Sequence, residues 1–410
     1  MKSKLYYGWV VVAVTAIALI LAAGARSAPG VFVLPIQADF PDWKRAAISL
    51  AISIGLVMYG FGGPLSGWLM NKFGPRRIVF GGLLITALSM VLSAGIQQLW
   101  QLNLLFGFLS GVGTGIVGSV LGATVANRWF LKQRGLIVGI FGAATSAGQL
   151  IFYPLLQRLV DVIGWRTTSV WIAVATAVLA IPIVLLMRNQ PSDVNEKPYG
   201  ADDDYIPSQQ TTDANVMSKA LRSLEFWLLA VTFFICGATS NGLIGVHFIA
   251  HAVEHGFAKD VAASTLTFMG VFNFVGTIAS GWLTDRYNPR FLLATYYTLR
   301  GASLLFLPLI HDQVGMAAFA ILFGLDYIAT VPPTVALTAD TFGRRNVGVV
   351  YGWIFCAHQV GAASASWFGG VIRDSYGSYN TAFIVGGGVA IAGGILALGI
   401  RRMSQTLPAS

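Results

Sequence analysis

Charge is what this chain has least of. Asp, Glu, Lys and Arg together supply 10% of its 410 residues, against roughly 25% in an ordinary soluble domain. Acidic residues are the scarcer sign, 17 against 26 basic, which leaves a formal charge of +9. A basic excess can mark a nucleic-acid binder, but these basic residues fall in short turns between apolar runs and make no patch, so no nucleic-acid partner is implied. Cysteine is almost missing. Cys236 and Cys356 both lie inside apolar runs and read as small buried side chains, not as a disulfide or a metal pair. No nucleophile–base spacing and no metal triad is present, so the sequence gives an enzyme no support and implies no cofactor and no metal.

What fills the chain is apolar residue, 55% of the total with a mean hydropathy of +0.69. It is arranged in runs of about 20 residues, each enough to cross a hydrocarbon layer about 30 Å thick. Twelve can be marked: 7–37, 46–71, 76–96, 99–126, 135–160 and 165–188, then 224–253, 261–285, 290–310, 314–340, 346–372 and 379–401. The first follows Met1-Lys2-Ser3-Lys4 and resembles a signal-peptide core, but it is too long and lacks a clear cleavage site, so it reads as the first membrane helix. The expected fold is an all-α membrane protein of two six-helix bundles, 1–188 and 224–410. Residues 189–223 form a cytoplasmic linker containing Asp202-Asp203-Asp204, Pro191, Pro198 and Pro207, with a short amphipathic piece from Val216 to Leu224.

One phrase occurs twice. Gly67-Trp68-Leu69-Met70-Asn71-Lys72-Phe73-Gly74-Pro75-Arg76-Arg77 returns 214 positions later as Gly281-Trp282-Leu283-Thr284-Asp285-Arg286-Tyr287-Asn288-Pro289-Arg290. Asp161 and Gly164 match Asp374 and Gly377 at an offset of 213, and Gly135 and Gly139 match Gly348 and Gly352. The halves therefore run in the same direction, as parallel repeats around a central cavity do. With the N-terminus in the cytoplasm, 18 Lys and Arg fall on that side and six on the other, which expects both termini and both repeated turns to be cytoplasmic.

On these residues the chain resembles a major facilitator superfamily transporter, whose best-known signature is the basic turn between helices 2 and 3. The acidic residue of that signature is Asp285 in the second copy but Asn71 in the first. The resemblance makes Gly67, Asn71 and Arg76, with Gly281, Asp285 and Arg286, the expected conformational-gating residues. Tyr7-Gly8-Trp9-Val10-Val11, Arg26-Ser27-Ala28-Pro29-Gly30-Val31-Phe32 and the stretch from Ile54 to Gly74 resemble, more narrowly, the monocarboxylate-porter branch, with oxalate/formate exchangers as neighbours. That branch often carries an acidic residue or Asn on helix 8 with Arg four positions later. Here the pair reads Asn273 and Thr277, so the second-half arginine is missing.

Two arginines remain inside apolar runs. Arg26 lies among Ala22, Ala23, Gly24, Ala25, Ala28 and Gly30. An arginine in the bilayer is costly unless it meets a wet cavity or a partner, and its planar fork suits a carboxylate. The plainer reading is that it snorkels or holds a structural ion pair. Arg300 on helix 9 and Asp326 on helix 10 both approach mid-membrane; either they neutralise each other, or Asp326 carries a coupled proton that Arg300 senses. His247, His251 and His255 recur at i, i+4 and i+8 on helix 7. His247, the deepest, is the candidate for a proton or substrate contact, and His358 has a weaker claim. Gln149, Tyr153, Asn241, Tyr327 and Gln359 are further candidates to line the cavity, with Phe32, Leu150 and Phe272 as its apolar part. Gly111-Val112-Gly113-Thr114-Gly115 is read as helix packing, not a phosphate loop, and Pro332-Pro333 as a break and hinge in helix 10.

The leading expectation is a secondary active transporter moving a small organic anion, a monocarboxylate foremost, by alternating access with proton coupling. Its partners would be that anion, protons and membrane lipid, and a monomer is expected. The alternatives are an efflux pump for drugs or other amphipaths on the same scaffold, or an organic anion exchanger.

Overall fold

The computed structural model describes residues 6–43, 45–202 and 215–401. Lys2, Lys4, Lys44, Asp203, Asp204, Pro207 and Arg402 lie outside the described residues. In an apolar layer every backbone polar group must be satisfied within its own segment, and the described residues meet this with helices. In chain order these are α1 (Gly8–Asp39), α2 (Arg45–Phe73), α3 (Pro75–Ser93), α4 (Leu99–Trp129), α5 (134–163), α6 (165–186), α7 (Leu224–Glu254), α8 (Lys259–Thr284), α9 (Pro289–Phe306), α10 (Gln313–Phe342), α11 (Val347–Tyr376) and α12 (Asn380–Leu398). Ten helical stretches among the described residues are long and apolar enough to cross a bilayer. One of them is α5 and α6 joined through Gly164, whose φ of 76° only glycine adopts readily, and α11 completes twelve. Large apolar side chains such as Trp68, Trp100, Trp171, Leu185 and Leu224 stand exposed on the helix surfaces, as lipid-facing residues must.

The chain divides into two compact units, Met1–Lys132 with Ile140–Ile206, and Gln133–Gly139 with Pro207–Ser410. In the first unit the core gathers around Phe32, which is fully buried against Phe106 and Trp165 at ring separations of 5.8 and 6.1 Å. Phe32 is therefore a packing residue and not the cavity wall expected of it, because its helix turns that face toward two aromatic partners. In the second unit the matching core is built from Phe248, Phe319, Phe323 and Phe383.

Glycine sets how closely the helices approach. A Cβ on Gly111 would lie 2.6 Å from the Gly55 carbonyl oxygen, and one on Gly115 would lie 2.7 Å from that of Tyr59. The glycine run of α4 thus packs on α2, as the sequence reading holds. Two helices are interrupted in mid-course. α4 breaks at Val117–Gly118, and α10 breaks between Asp326 and Val331, 213 residues on. Pro332 and Pro333 open the second piece of α10, where a proline loses no hydrogen bond.

The segment after α6 is not a free tether at its start. Tyr199 N–H donates to the Trp129 carbonyl at 2.8 Å, and its own carbonyl accepts from Leu131 and Lys132. Tyr6 donates its hydroxyl to the Trp129 carbonyl at 2.7 Å, and the Tyr7 N–H donates to the Glu196 carboxylate at 3.0 Å. Trp9, Phe130 and Tyr199 close round these groups, and burial pushes the Tyr6 phenol up. The expectation of a linker over 189–223 missed this strap, because a short polar stretch carries no sign of the aromatic box it closes.

Gly111→Val would place branched atoms against the α2 backbone. A loss of about 1–3 kcal/mol, the usual range for overpacking, is expected, read as a lower melting temperature of the detergent-purified protein.

Candidate functional site

Each unit holds one arginine at the interruption of its fourth helix. In the first unit Arg26 lies beside a narrow cleft lined by Leu19, Ala22, Ala23, Tyr59, Thr114, Val117, Gly118 and Thr145. The small residues of α1 leave that space, and the break in α4 forms one wall. The guanidinium lies over the Tyr59 ring at 4.6 Å from its centroid, a cation–π contact. Arg26 is half-buried and has no hydrogen bond or ion pair to another described residue. Its donors are not committed to another described residue, and a guanidinium in that state can accept an anionic partner. The repeat offset sets Tyr59 opposite Asn273, but nothing in the sequence says that its ring meets Arg26.

In the second unit Arg300 is fully buried and fully engaged. Its Nε donates to Asp326 Oδ2 at 2.6 Å, and Nη2 donates to the carbonyls of Asp326 and Tyr327 at 2.7 and 3.1 Å. Nη1 donates to Cys236 Sγ at 2.9 Å, and Cys236 also meets Thr330 Oγ1 at 3.1 Å. The salt bridge that was one of two readings therefore forms. It does not close the question of the carboxylate, since Asp326 is 4% exposed and its Oδ1 has no hydrogen-bond partner.

Nearby, α7 widens into a π-helical turn over Ala238–Ile244, a distortion often found at functional positions. It carries Asn241, whose side-chain oxygen accepts from the Tyr327 hydroxyl at 3.1 Å. The structure thus brings Asn241, Tyr327, Asp326 and Arg300 into one neighbourhood. Asn273 and Thr277 bond each other along α8 at 3.1 Å. His247 is buried, its Nε2 paired with the Ser366 carbonyl at 2.9 Å and its ring 5.0 Å from that of Tyr379. The His251 and His255 rings lie 4.1 Å apart, tilted by 41°, and His255 stacks on His311 at 5.9 Å, a residue the sequence reading passed over. In the first unit Gln149 is half-buried on α5, while Tyr153 is about half exposed.

The two repeated turns work differently. Asp285 accepts from the backbone N–H groups of Gly135 and Leu136 at 2.7 and 2.8 Å, capping the start of α5, and Gly281 packs its backbone against Gly135. Arg286 lies over Trp282 at 3.8 Å. Asn71 instead accepts from Arg128 at 3.0 Å, next to the buried Gly67. Arg76 donates to the Val184 carbonyl at 2.8 Å, and its N–H donates to Asn189.

A polytopic helical protein made of two six-helix repeats, with an arginine beside a narrow cleft in an apolar span, has the architecture of a membrane transporter. The sequence profile of the Major Facilitator Superfamily matches residues 15–331 and 236–409, and the chain belongs to that superfamily. It is 28% identical to monocarboxylate transporter 13 of Bos taurus, over 94% of this chain and 88% of that one. It is 25% identical to the oxalate:formate antiporter of Oxalobacter formigenes, over 92% and 87%. Among solved structures it resembles the Escherichia coli fucose:proton symporter, with a TM-score of 0.72 at 19% identity over 96% and 98% of the two chains. A proton:xylose symporter gives a TM-score of 0.74 at 15% identity over 96% of each.

Arg300→Ala would leave the Asp326 carboxylate buried without its cation, a loss of about 3–5 kcal/mol, read as a collapse of the monodisperse fraction on size exclusion. The double substitution Arg300→Met with Asp326→Leu should recover that fraction, because it removes both charges together.

Proposed function

We propose that this transporter moves a small organic anion, a monocarboxylate foremost, by alternating access coupled to protons. The observation that carries the reading is Arg26. A permanent cation stands in an apolar span beside a cleft, and no carboxylate among the described residues pairs with it. A substrate carboxylate would supply the missing charge and accept the guanidinium fork in two parallel hydrogen bonds. The Tyr59 ring holds the plane of the guanidinium, and the small volume of the cleft favours a short body over a bulky one. Similarity to monocarboxylate transporter 13 supports the same class.

Proton coupling falls to Asp326. Its Oδ1 is buried and unpartnered, and gaining a proton would change the balance of charge at the interruption of α10. His247 is the lesser candidate, because one ring nitrogen is already committed to α11. The excess of Lys and Arg in the repeated turns supports an orientation with both termini in the cytoplasm. Likeness to an oxalate:formate antiporter favours a second reading, exchange of one anion for another. Counterflow with the pH gradient collapsed separates the two, since exchange survives it.

The deciding experiment is uptake of radiolabelled lactate and pyruvate into proteoliposomes under an imposed pH gradient. Arg26→Ala should raise the half-saturation concentration about 10- to 100-fold, the equivalent of a charged hydrogen bond of about 1.5–3 kcal/mol. Undiminished uptake by that variant would sink the assignment.

A further inference from the structure

Cys236 is 1% exposed, and a nitrogen of a buried arginine donates to its sulfur. Guanidinium forks ordinarily meet oxygen acceptors; here one edge takes a carboxylate and a neighbouring nitrogen takes a thiol. Arg300 keeps its charge at any accessible pH. Two acids in direct contact with it can balance that charge, the Asp326 carboxyl and the Cys236 thiol. Other titratable groups around the cluster are Tyr296 and Tyr297 on α9, Tyr327 on α10, whose hydroxyl donates to Asn241, and His358 on α11. Tyr297 donates its hydroxyl to the Thr232 carbonyl at 2.6 Å and stays a donor. His358 is buried against Phe233 and Phe355, and its Nδ1 has no partner among the described residues. Over Asn380–Leu398, α12, which packs on α9, brings no titratable side chain.

In so dry a place the cluster is stable at net zero, and one uncompensated charge in either direction costs several kcal/mol. With Arg300 positive, one of the two acids must be ionised and the other must hold a proton. We propose that Cys236 is a proton-carrying residue of the coupling site, sharing one proton with Asp326 across the Arg300 guanidinium. The inference rests on the proton-coupled reading above and adds a residue to it. With the S–H bond of Cys236 intact, the Asp326 carboxylate is the counter-ion of Arg300. When that S–H bond breaks and its proton forms an O–H bond on Asp326 Oδ1, the carboxylate becomes a neutral acid and the thiolate takes its place as counter-ion. The proton changes owner within the cluster, and the net charge stays at zero throughout.

The test uses a Cys356→Ala background, in which Cys236 is the one thiol of the chain. Infrared difference spectroscopy of the purified protein should show the S–H stretching band of Cys236. In Asp326→Asn, checked for monodispersity, that band should be lost, because the thiol becomes the sole counter-ion available to Arg300. A band that persists in a folded Asp326→Asn protein overturns the proposal. A second measurement is independent of that variant. Cys236→Ser keeps the contacts but does not ionise, and the pH profile of lactate uptake should move by about one unit, as loss of a close charge partner does. An unshifted profile would mean that Cys236 only packs. The infrared readout needs no substrate, so Arg26→Ala can refute the anion reading without touching the thiol result.

Discussion

Everything distinctive in this molecule follows from the cost of holding a guanidinium inside an apolar layer. A bilayer span tolerates such a charge only where something answers it, and the two units answer differently. In the second, Arg300 is fully buried and all three of its nitrogens are engaged, by a carboxylate, two carbonyls and a thiol. In the first, Arg26 has the face of Tyr59 and an open cleft. One arginine is built into the architecture, and the other keeps its donors uncommitted among the described residues.

Both arginines stand where the fourth helix of their unit is interrupted, and the interruption recurs 213 residues on. A broken helix exposes backbone groups that the continuous one would hide, and such irregular backbone is tolerated in a membrane where it lines a cavity or is held by protein. At α10 the held option applies, since Arg300 takes the freed carbonyls of Asp326 and Tyr327. At α4 the break lines a cleft. The duplicated scaffold therefore keeps the location of the irregularity and varies what is done with it. The repeated turns diverge in the same way: Asp285 caps a helix start with two charged hydrogen bonds, whereas Asn71 takes one from Arg128.

The scaffold was legible in the sequence because burial in lipid leaves a coarse signal. Runs of apolar residues, glycines at close-packing spacing and one duplicated turn are enough to count helices and halves. Arg26, Arg300 and Asp326 were legible for the same reason, as charges against an apolar background. Their surroundings were not. Tyr59 and Cys236 look like ordinary members of apolar runs, and nothing local says that each will meet an arginine. Phe32 seemed placed for a cavity wall and proved to be core, because rotation about a helix axis is decided by neighbours far away in sequence. Prolines advertised the interruption of α10, but the one in α4 rests on a single glycine and went unseen. The strap over 191–200 was hidden because its order comes from Tyr6 and Trp129, which belong to other segments.

Both native cysteines are enclosed in the second unit, Cys236 against Arg300 and Cys356 on the buried side of α11. Water-soluble maleimides and spin labels need an accessible sulfur, so the unaltered chain already offers a silent background for labelling. Pairs of introduced surface cysteines can report distances between the two units while the thiol chemistry beside Arg300 stays intact.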